Sequence, residues 1–414
     1  MHRLSLVLTV FCLLEGRPAT ALAAPPTEIR FLSYFPESIR DMTQRIIDDF
    51  NHTHPGIVVR YEYVPLENLK RMLLVANASG DLPDVVMIDN PDNAAFAQAG
   101  ILADITDLVA RWEGKGRFLA GPWRSTIYKG RQYGIPFDSN CLALFYDRGA
   151  LDRAGVRVPE TWEELRAAAR KLTAPGRYGL AISAFPSEEG TFQFLPWLLS
   201  AGGDVDQVDS PAGVRALEFL RSLITDGSMS AEVIGWTQFD AQKQFSSGRT
   251  AMMINGPWNF RSLERDSPKL AYGIAKVPRD VKFASVLGGE NLAITRQAKR
   301  DAAWAFVQYA ASREIIARFA SATGELPPRT DAARPGDVWE RDPRLSVFLD
   351  QIQYAMPRGP HPRWPEISNI ISRAIQEGLS GSKPPRKALE DAQRDLRALG
   401  APSPAVRGAA RDGG

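Results

Sequence analysis

The sequence predicts an α/β fold built from two core-bearing lobes. The first hundred residues alternate between strand-like and helix-like patterns, and the chain of 414 residues is long enough for about two such units. A hydrophobic content of 44% fits ordinary globular packing. Alternation of strands and helices implies a parallel sheet with right-handed crossovers.

The predicted elements follow the period of the apolar residues. Alternating or β-branched runs indicate strands, and apolar residues on one helical face, such as Ile39, Met42, Ile46 and Phe50, indicate helices. In chain order these are a strand at 28–34, a helix at 39–50, a strand at 57–64, a helix at 66–78, a strand at 83–89, a helix at 104–112 and a strand at 141–146.

A further helix begins after Thr161. The Thr161 hydroxyl can cap it, and Glu164 can close a capping box. Trp162, in the first turn, and Trp304, inside a later helix, are expected to pack in the interior.

The N-terminus has the pattern of an export signal. A short basic start precedes an apolar run over residues 4–14, and small residues at 21–23 suit cleavage after Ala23. The run is shorter than the roughly 20 apolar residues that span a bilayer. Cys12 lacks the small preceding residues of a lipoprotein signal, so a periplasmic protein without a lipid anchor is expected, with Cys141 as its one remaining cysteine.

The charge balance argues against nucleic acid as a partner. The chain has 50 Lys and Arg against 48 Asp and Glu, and its basic residues form no concentrated stripe. No metal site and no cofactor are expected, and His52 and His54 are interpreted as surface loop residues.

Polar residues follow two predicted strands. Asp89 and Asn90 come after the third strand and Tyr34 after the first, and ligands bind beyond the carboxyl ends of such strands. The segment 89–92 fits helix capping equally well, so both interpretations stay open.

Five motifs, in order, resemble those of the maltose-binding-protein-like extracellular solute-binding proteins (family 1) of ABC sugar importers. They lie at 80–86, 96–105, 134–165, 245–258 and 365–393, and include Gly134-Ile-Pro-Phe-Asp and Asn255-Gly-Pro-Trp. The match covers nearly the whole chain after the signal.

The resemblance implies a type II periplasmic-binding-protein fold, with two hinged α/β lobes around a central cleft. Crossovers between the lobes are expected near 136–140, 283–289 and 326–330. The implied division is a signal peptide at 1–23, an N-terminal lobe at 24–137 and 285–328, a C-terminal lobe at 138–284 and 329–400, and a disordered tail at 401–414.

The resemblance also implies aromatic residues that stack on sugar rings. Trp258 ends the Asn-Gly-Pro-Trp motif at a stacking position of the family, although a core tryptophan behind a Gly-Pro turn is the alternative. Phe192 aligns with a second stacking aromatic but lacks a phenol hydroxyl. Trp197 and Trp236 are weaker candidates, for which core packing is an equal alternative.

The predicted polar contacts complete the site. Asn140 occupies a crossover position where the maltose receptor carries an acid, and Gly288-Gly-Glu290-Asn291 forms a turn at the second crossover, where glycines let backbone approach ligand. A simple flexible turn is the alternative there. Arg363 and Trp364 belong to His361-Pro-Arg-Trp, where the resemblance implies a proline-flanked aromatic or basic contact; with Tyr34, Asp89 and Asn90 they complete the predicted ligand-binding set.

The expected function is periplasmic capture of a mono- or oligosaccharide, such as a glucoside, and its delivery to an inner-membrane ABC permease by a monomer. A receptor for glycerol phosphate or another polar solute, a receptor serving a sensor, and a secreted glycoside hydrolase are the alternatives. No hydrolase elbow, His-Glu-x-x-His motif or P-loop occurs, and Cys141 lies in an apolar strand where a buried thiol is expected. We therefore expect no enzyme activity and no catalytic residues.

Overall fold

The computed structural model describes residues 25–332 and 338–400, which form two α/β lobes. The predicted signal peptide at 1–23 and the predicted tail at 401–414 lie outside the described residues. Among the described helices, none has both the length and the apolar character needed to cross a bilayer.

Thirteen strands are described, in two large and two small sheets. They are β1 Thr27–Ser33, β2 Ile57–Tyr63, β3 Val85–Asp89, β4 Ile127–Tyr128, β5 Arg131–Gln132, β6 Ile135–Pro136, β7 Ala143–Asp147, β8 Tyr178–Ala181, β9 Thr250–Asn255, β10 Tyr272–Ala275, β11 Ser285–Leu287, β12 Glu290–Ile294 and β13 Ala355–Pro357.

The helices surround the two large sheets. They are α1 Glu37–Thr53, α2 Leu66–Ser79, α3 Asn93–Gln98, α4 Thr106–Ala110, α5 Ala120–Ser125, α6 Arg148–Ala154, α7 Trp162–Leu172, α8 Glu188–Ser200, α9 Pro211–Thr225, α10 Gln238–Ser246, α11 Phe260–Asp266, α12 Arg300–Ala310, α13 Arg313–Thr323, α14 Val338–Arg341, α15 Pro343–Gln351, α16 Trp364–Ser380 and α17 Pro385–Ala398.

The sheet of the N-terminal lobe has the order β2-β1-β3-β12-β6. Its first three strands are parallel, as the alternation of strands and helices predicts. In contrast, β12 comes from far along the chain and runs antiparallel to both β3 and β6, so the sheet is mixed. The apolar residues on its faces pack against α1, α12 and α13.

The sheet of the C-terminal lobe has the order β10-β7-β9-β8, and only its β8–β9 pair is parallel. Helices α7, α8, α9, α16 and α17 cover one side of it, and α10, α11 and α15 cover the other. Cys141 is fully buried there beside the carbonyl of Phe348, as expected of an inert thiol.

Helix α7 begins as the sequence predicts. The Thr161 hydroxyl accepts a hydrogen bond from the Glu164 amide at 3.2 Å. The Glu164 carboxylate reaches one residue beyond the cap and accepts from the Glu160 amide at 2.8 Å, so the capping box is displaced by one position. Trp162 and Trp304 are buried, as expected.

Three chain segments meet between the two large sheets. Isolated antiparallel bridges join Asn140 to Gly288 and Ser139 to Leu326. The short parallel pair β11–β13 extends this junction and brings the chain to Arg358. These contacts bring residues of both lobes together along one junction, which we call the seam.

Candidate functional site

The N-terminal lobe contributes the ends of three adjacent strands to the seam. Tyr34 follows β1, Asp89 ends β3, and Glu290 begins the antiparallel β12 and lies directly opposite Asp89. The Tyr34 hydroxyl donates a hydrogen bond to Glu290 Oε1 at 2.8 Å. Because strand ends share one edge of the sheet, three residues distant in sequence become neighbours.

The C-terminal lobe contributes the start of α8 and the turn after β9. Ser187 caps α8, and the first turns of this helix carry Glu188 and Phe192. The turn after β9 carries Trp258, whose ring packs against the cores of both lobes. Asp89 and Asn90 do not cap the following helical turn through their side chains, so the capping interpretation is wrong for both.

Arg358 joins the two lobes. Its guanidinium forms a bidentate pair with Asp89, with Nη1–Oδ2 and Nη2–Oδ1 distances of 2.8 and 2.6 Å. Nη1 also donates to Glu188 Oε1 at 2.7 Å, and Nε donates to the carbonyl of Leu287 at 3.3 Å. With a longer contact to Asn90 Oδ1 at 3.4 Å, every donor direction of the guanidinium meets an acceptor.

The predicted aromatic residues meet at the same place. The ring centroids of Phe192 and Trp258 are 6.3 Å apart, and the Arg358 guanidinium lies 4.5 Å from the centroid of Phe192. A Cβ added to Gly288 would lie 2.0 Å from Asn140 Oδ1 and 3.0 Å from the Phe192 ring. Glycine at 288 therefore permits the close approach that the sequence indicates.

A second ion pair lies beside the first. Lys70 Nζ of α2 is 2.8 Å from Asp92 Oδ1, and the Asp92 carboxylate is almost fully buried. Burial raises the pKa of Asp92 to about 6, although Lys70 opposes the shift. Burial likewise raises the pKa of Asp89, even though Arg358 favours its ionised form.

Three more carboxyl groups lie behind Tyr34. Asp138 Oδ1 accepts from the Glu290 amide at 2.8 Å, and the side chains of Asp138 and Glu290 are within hydrogen-bonding reach of each other. Glu325 interacts with Asn140 and with the charge of Glu290. Burial is the main cause that raises the pKa of each carboxyl. Repulsion by Glu290 adds to it at Asp138 and Glu325, and repulsion by Asp89 adds to it at Glu290. The same surroundings raise the pKa of Tyr34.

Seven of the predicted residues thus lie along the seam: Tyr34, Asp89, Asn90, Asn140, Phe192, Trp258 and Glu290. Trp364 lies behind these residues, where its Nε1 donates a hydrogen bond to the Glu188 carboxylate at 3.0 Å.

The structure places the other three elsewhere. The Asn291 amide pairs with the Ser125 hydroxyl inside the N-terminal lobe. Arg363 is half-exposed and bonds to Glu366 and to the carbonyl of Leu399. Trp197 is fully buried in the C-terminal lobe, where it packs on Trp162.

The weaker aromatic candidate, Trp236, packs against the two hydrophobic clusters of the C-terminal lobe. Its carbonyl accepts a hydrogen bond from the Ser183 hydroxyl.

Sequence reasoning missed six charged residues of the seam: Lys70, Asp92, Asp138, Glu188, Glu325 and Arg358. Asp92 and Asp138 lie in the same sequence segments as residues that were predicted for the site. Their closeness in sequence to those residues was therefore a signal that could have found them. Arg358 lies in an irregular loop between prolines, where no periodicity marks it.

The cavities bear on the site in different ways. A cavity of about 150 Å³ adjoins the seam and is lined by Arg358, Trp364, Leu195, Leu199 and, from the N-terminal lobe, Arg124. A larger opening, about 760 Å³, lies on the outside of the C-terminal lobe around residues 270–272 and 341–344, away from the charged network. Within 25–332 and 338–400, no group of three or more metal-ligating side chains is arranged to hold an ion.

Comparison with known proteins identifies the family. The model of the bacterial extracellular solute-binding proteins matches residues 45–347. This chain belongs to that family. It is also 26% identical, over 84% of its length and 87% of the relative's, to a putative binding protein of Brucella abortus.

Solved structures agree with this assignment. An ABC transporter solute-binding protein of Thermotoga lettingae, bound to α-D-tagatose, is 27% identical with a TM-score of 0.85, over 90% of this chain and 99% of that one. The maltose-bound MalE3 of T. maritima is 26% identical with a TM-score of 0.84, over 90% of this chain and 100% of that one. The two-lobe periplasmic-binding-protein fold is therefore confirmed, and the family and its relatives are solute-binding proteins.

Proposed function

We propose that this protein captures a mono- or oligosaccharide between its lobes and delivers it to an inner-membrane ABC permease. The single observation that supports this best is the meeting of Trp258 and Phe192 with buried hydrogen-bonding groups of both lobes. Sugars present apolar faces to aromatic rings and hydroxyl groups to carboxylates and amides. The sugar-bound relatives from Thermotoga support the same class of ligand.

The lobes would open by bending at the three crossings. We propose the division of the chain into 24–137 with 285–328 and 138–284 with 329–400, and hinges near 136–140, 283–289 and 326–330. The bridges at Asn140–Gly288 and Ser139–Leu326 support these positions. Opening would separate Asp89 from Arg358 and admit ligand, and closure would remove water from the polar contacts.

The cellular setting follows from the family. An extracellular solute-binding protein works outside the inner membrane, and we propose that cleavage after Ala23 releases a soluble monomer without a lipid anchor. Intact-mass spectrometry of the exported protein checks this, since a mature chain starting at Ala24 has a mass distinct from that of an acylated one.

Glycerol phosphate is the less favoured ligand. The seam holds six carboxyl groups, and its two cations, Lys70 and Arg358, already have carboxylate partners. A phosphate would enter a site with an excess of acidic groups.

Calorimetric titration with a panel of sugars and polyols tests the proposal. A bound sugar should give a stoichiometric isotherm and raise the unfolding midpoint. Trp258→Ala should weaken binding by about 1–3 kcal/mol, the scale of a buried aromatic contact. Tyr178→Ala, at an exposed aromatic on β8, is the control and should bind as the wild type does.

An unchanged affinity of Trp258→Ala for the sugar would show that this residue does not contribute to the binding site. Turnover of a glycoside, in place of stoichiometric capture, would favour a hydrolase.

A further inference from the structure

The carboxyl groups of the seam outnumber its cationic side chains. Arg358 is shared between Asp89 and Glu188, and Lys70 is paired with Asp92. Asp138, Glu290 and Glu325 therefore remain as a second group, which we call the carboxyl triad. Each of its side chains is more than nine-tenths buried.

Each member of the triad has one oxygen without a nitrogen or hydroxyl donor. Among the described residues, these are Oδ2 of Asp138, Oε2 of Glu290 and Oε2 of Glu325, and Asp138 and Glu290 can share a carboxyl proton. A buried carboxylate oxygen left in this state is costly, so the triad must either retain protons or receive a donor from a ligand.

The groups around the triad do not neutralise it. The Tyr34 hydroxyl and the Asn140 side chain are uncharged, and Asp89 adds a further acid on the adjacent strand. Burial, which raises the pKa of Glu290, is the largest effect on this carboxyl; the hydrogen bond with Asp138 and the charge of Arg358 both lower its pKa. The triad thus favours a cation.

We propose that the ligand is a carbohydrate that carries a protonated amino group, and that this ammonium lies among Asp138, Glu290 and Glu325 when the lobes close. The inference rests on the proposed function and narrows its substrate class. An ammonium offers three donors, which can fill the unpaired oxygen of Glu325 and replace the proton that Asp138 and Glu290 share. Hydrogen bonds between ionised partners are roughly twice as strong as neutral ones.

Proton release should accompany binding. In the ligand-free protein the triad binds protons more tightly than free carboxyl groups do, because burial and repulsion by neighbouring carboxylates raise the pKa of its members. An ammonium favours the ionised carboxylates, so the triad gives up protons to the buffer as the ligand enters. The affinity for the amino sugar should therefore rise with pH over the range in which the amine itself stays largely protonated.

Matched sugars test the inference. The probes are glucosamine with glucose and N-acetylglucosamine, and the amino disaccharide chitobiose with cellobiose and N,N′-diacetylchitobiose, each titrated calorimetrically into the full mature chain. The amino member of at least one set should bind about tenfold more tightly than both neutral members. Repeating the titration in buffers of different ionisation enthalpy should show proton release.

Variants connect this preference to the triad. Glu325→Gln and Glu290→Gln should each abolish the preference for the amino probe and reduce proton release, while Glu314→Gln, at an exposed glutamate of α13, should change neither. Circular dichroism verifies that each variant is folded. If Glu290→Gln does not fold, the result for Glu325→Gln alone decides the test.

The outcomes separate the two proposals. Tighter binding of the neutral probes, or equal binding within each set, would overturn the amino-group inference and leave carbohydrate capture standing. Binding of none of the six probes would contradict both.

Discussion

At the scale of single residues, the position of Trp258 depends on Gly256. A Cβ at residue 256 would lie 1.9 Å from the Trp258 ring, so only glycine lets the indole fold back over the turn. The φ of Gly256 is −110°, which any residue adopts, so the constraint comes from the ring and not from the backbone.

Gly256→Ala should therefore displace the indole without breaking the turn. We expect about a tenfold loss of affinity for the bound sugar, and a loss of about 1–3 kcal/mol in unfolding free energy from overpacking. Calorimetry and urea denaturation measure the two effects. Gly235→Ala, where an added Cβ meets nothing within 4 Å, is the matched control. Full retention of affinity would show that the ring position does not matter for binding.

The buried acids should also make stability depend on pH. Asp138 has a raised pKa because of burial and repulsion by Glu290, so the folded state binds its proton more tightly than the unfolded state does. The slope of stability with pH is then negative above the unfolded pKa of about 4, and this contribution is lost progressively as the pH rises.

Asp138→Asn should flatten that slope above the unfolded pKa of about 4. The amide can still accept from the Glu290 amide N–H and can donate to the Glu290 carboxylate. Urea unfolding of variant and wild type, compared at each pH, cancels the contribution of His361, whose lowered pKa has the opposite sign. A difference between the two proteins that stays constant with pH would contradict the prediction.

The sequence predicted the residues of the seam that lie in motifs or at strand ends, such as Trp258, Asn140 and Asp89. It could not predict Arg358, because the partner of a lone arginine in a loop is set by tertiary packing. Trp197 shows the converse: its helix is apolar nearly all round, so the sequence alone does not tell a buried face from one that faces a ligand.

At the scale of elements, the strands with local signals were predictable and their partners were not. The first three strands pair in parallel as expected, but β12 enters between β3 and β6 from a position some two hundred residues further along the chain. Nothing in its own five residues encodes that antiparallel register. Pairing of distant segments depends on which hydrophobic face must be covered, and this is a property of the assembled lobe.

The start of α7 illustrates a local signal with a measurable value. Thr161→Ala removes the oxygen that accepts from the Glu164 amide, so we expect a loss of about 1 kcal/mol in unfolding free energy. Thr161→Ser keeps the oxygen and should retain most of that stability. Chemical denaturation compares the three proteins; equal stability of alanine and wild type would mean that water replaces the cap without cost.

At the scale of the whole molecule, the lobes are held together by charge as well as by packing. Arg358, Asp89 and Glu188 form a buried network across the seam, and each carboxylate would lose its strongest partner if the guanidinium were removed. Leaving buried charges unpaired costs about 3–5 kcal/mol, so the closed arrangement should lose much of its advantage.

Arg358→Gln should therefore shift the ligand-free protein toward an open form. Small-angle scattering should show a larger radius of gyration than that of the wild type. Arg373→Gln, which removes an exposed arginine paired with Asp395 on the C-terminal helices, is the control. Identical scattering curves for Arg358→Gln and wild type would show that the network does not govern closure.

The interleaved path of the chain has a consequence for biosynthesis. The first sheet needs β12 and the cover of α12 and α13, and the second lobe needs α16 and α17, which end at Ala398. A ribosome must therefore release the chain through α13 before the first interior is complete, and through α17 before the second is. Contacts of such long sequence separation form slowly, so we expect the nascent chain to expose apolar surface during much of its synthesis.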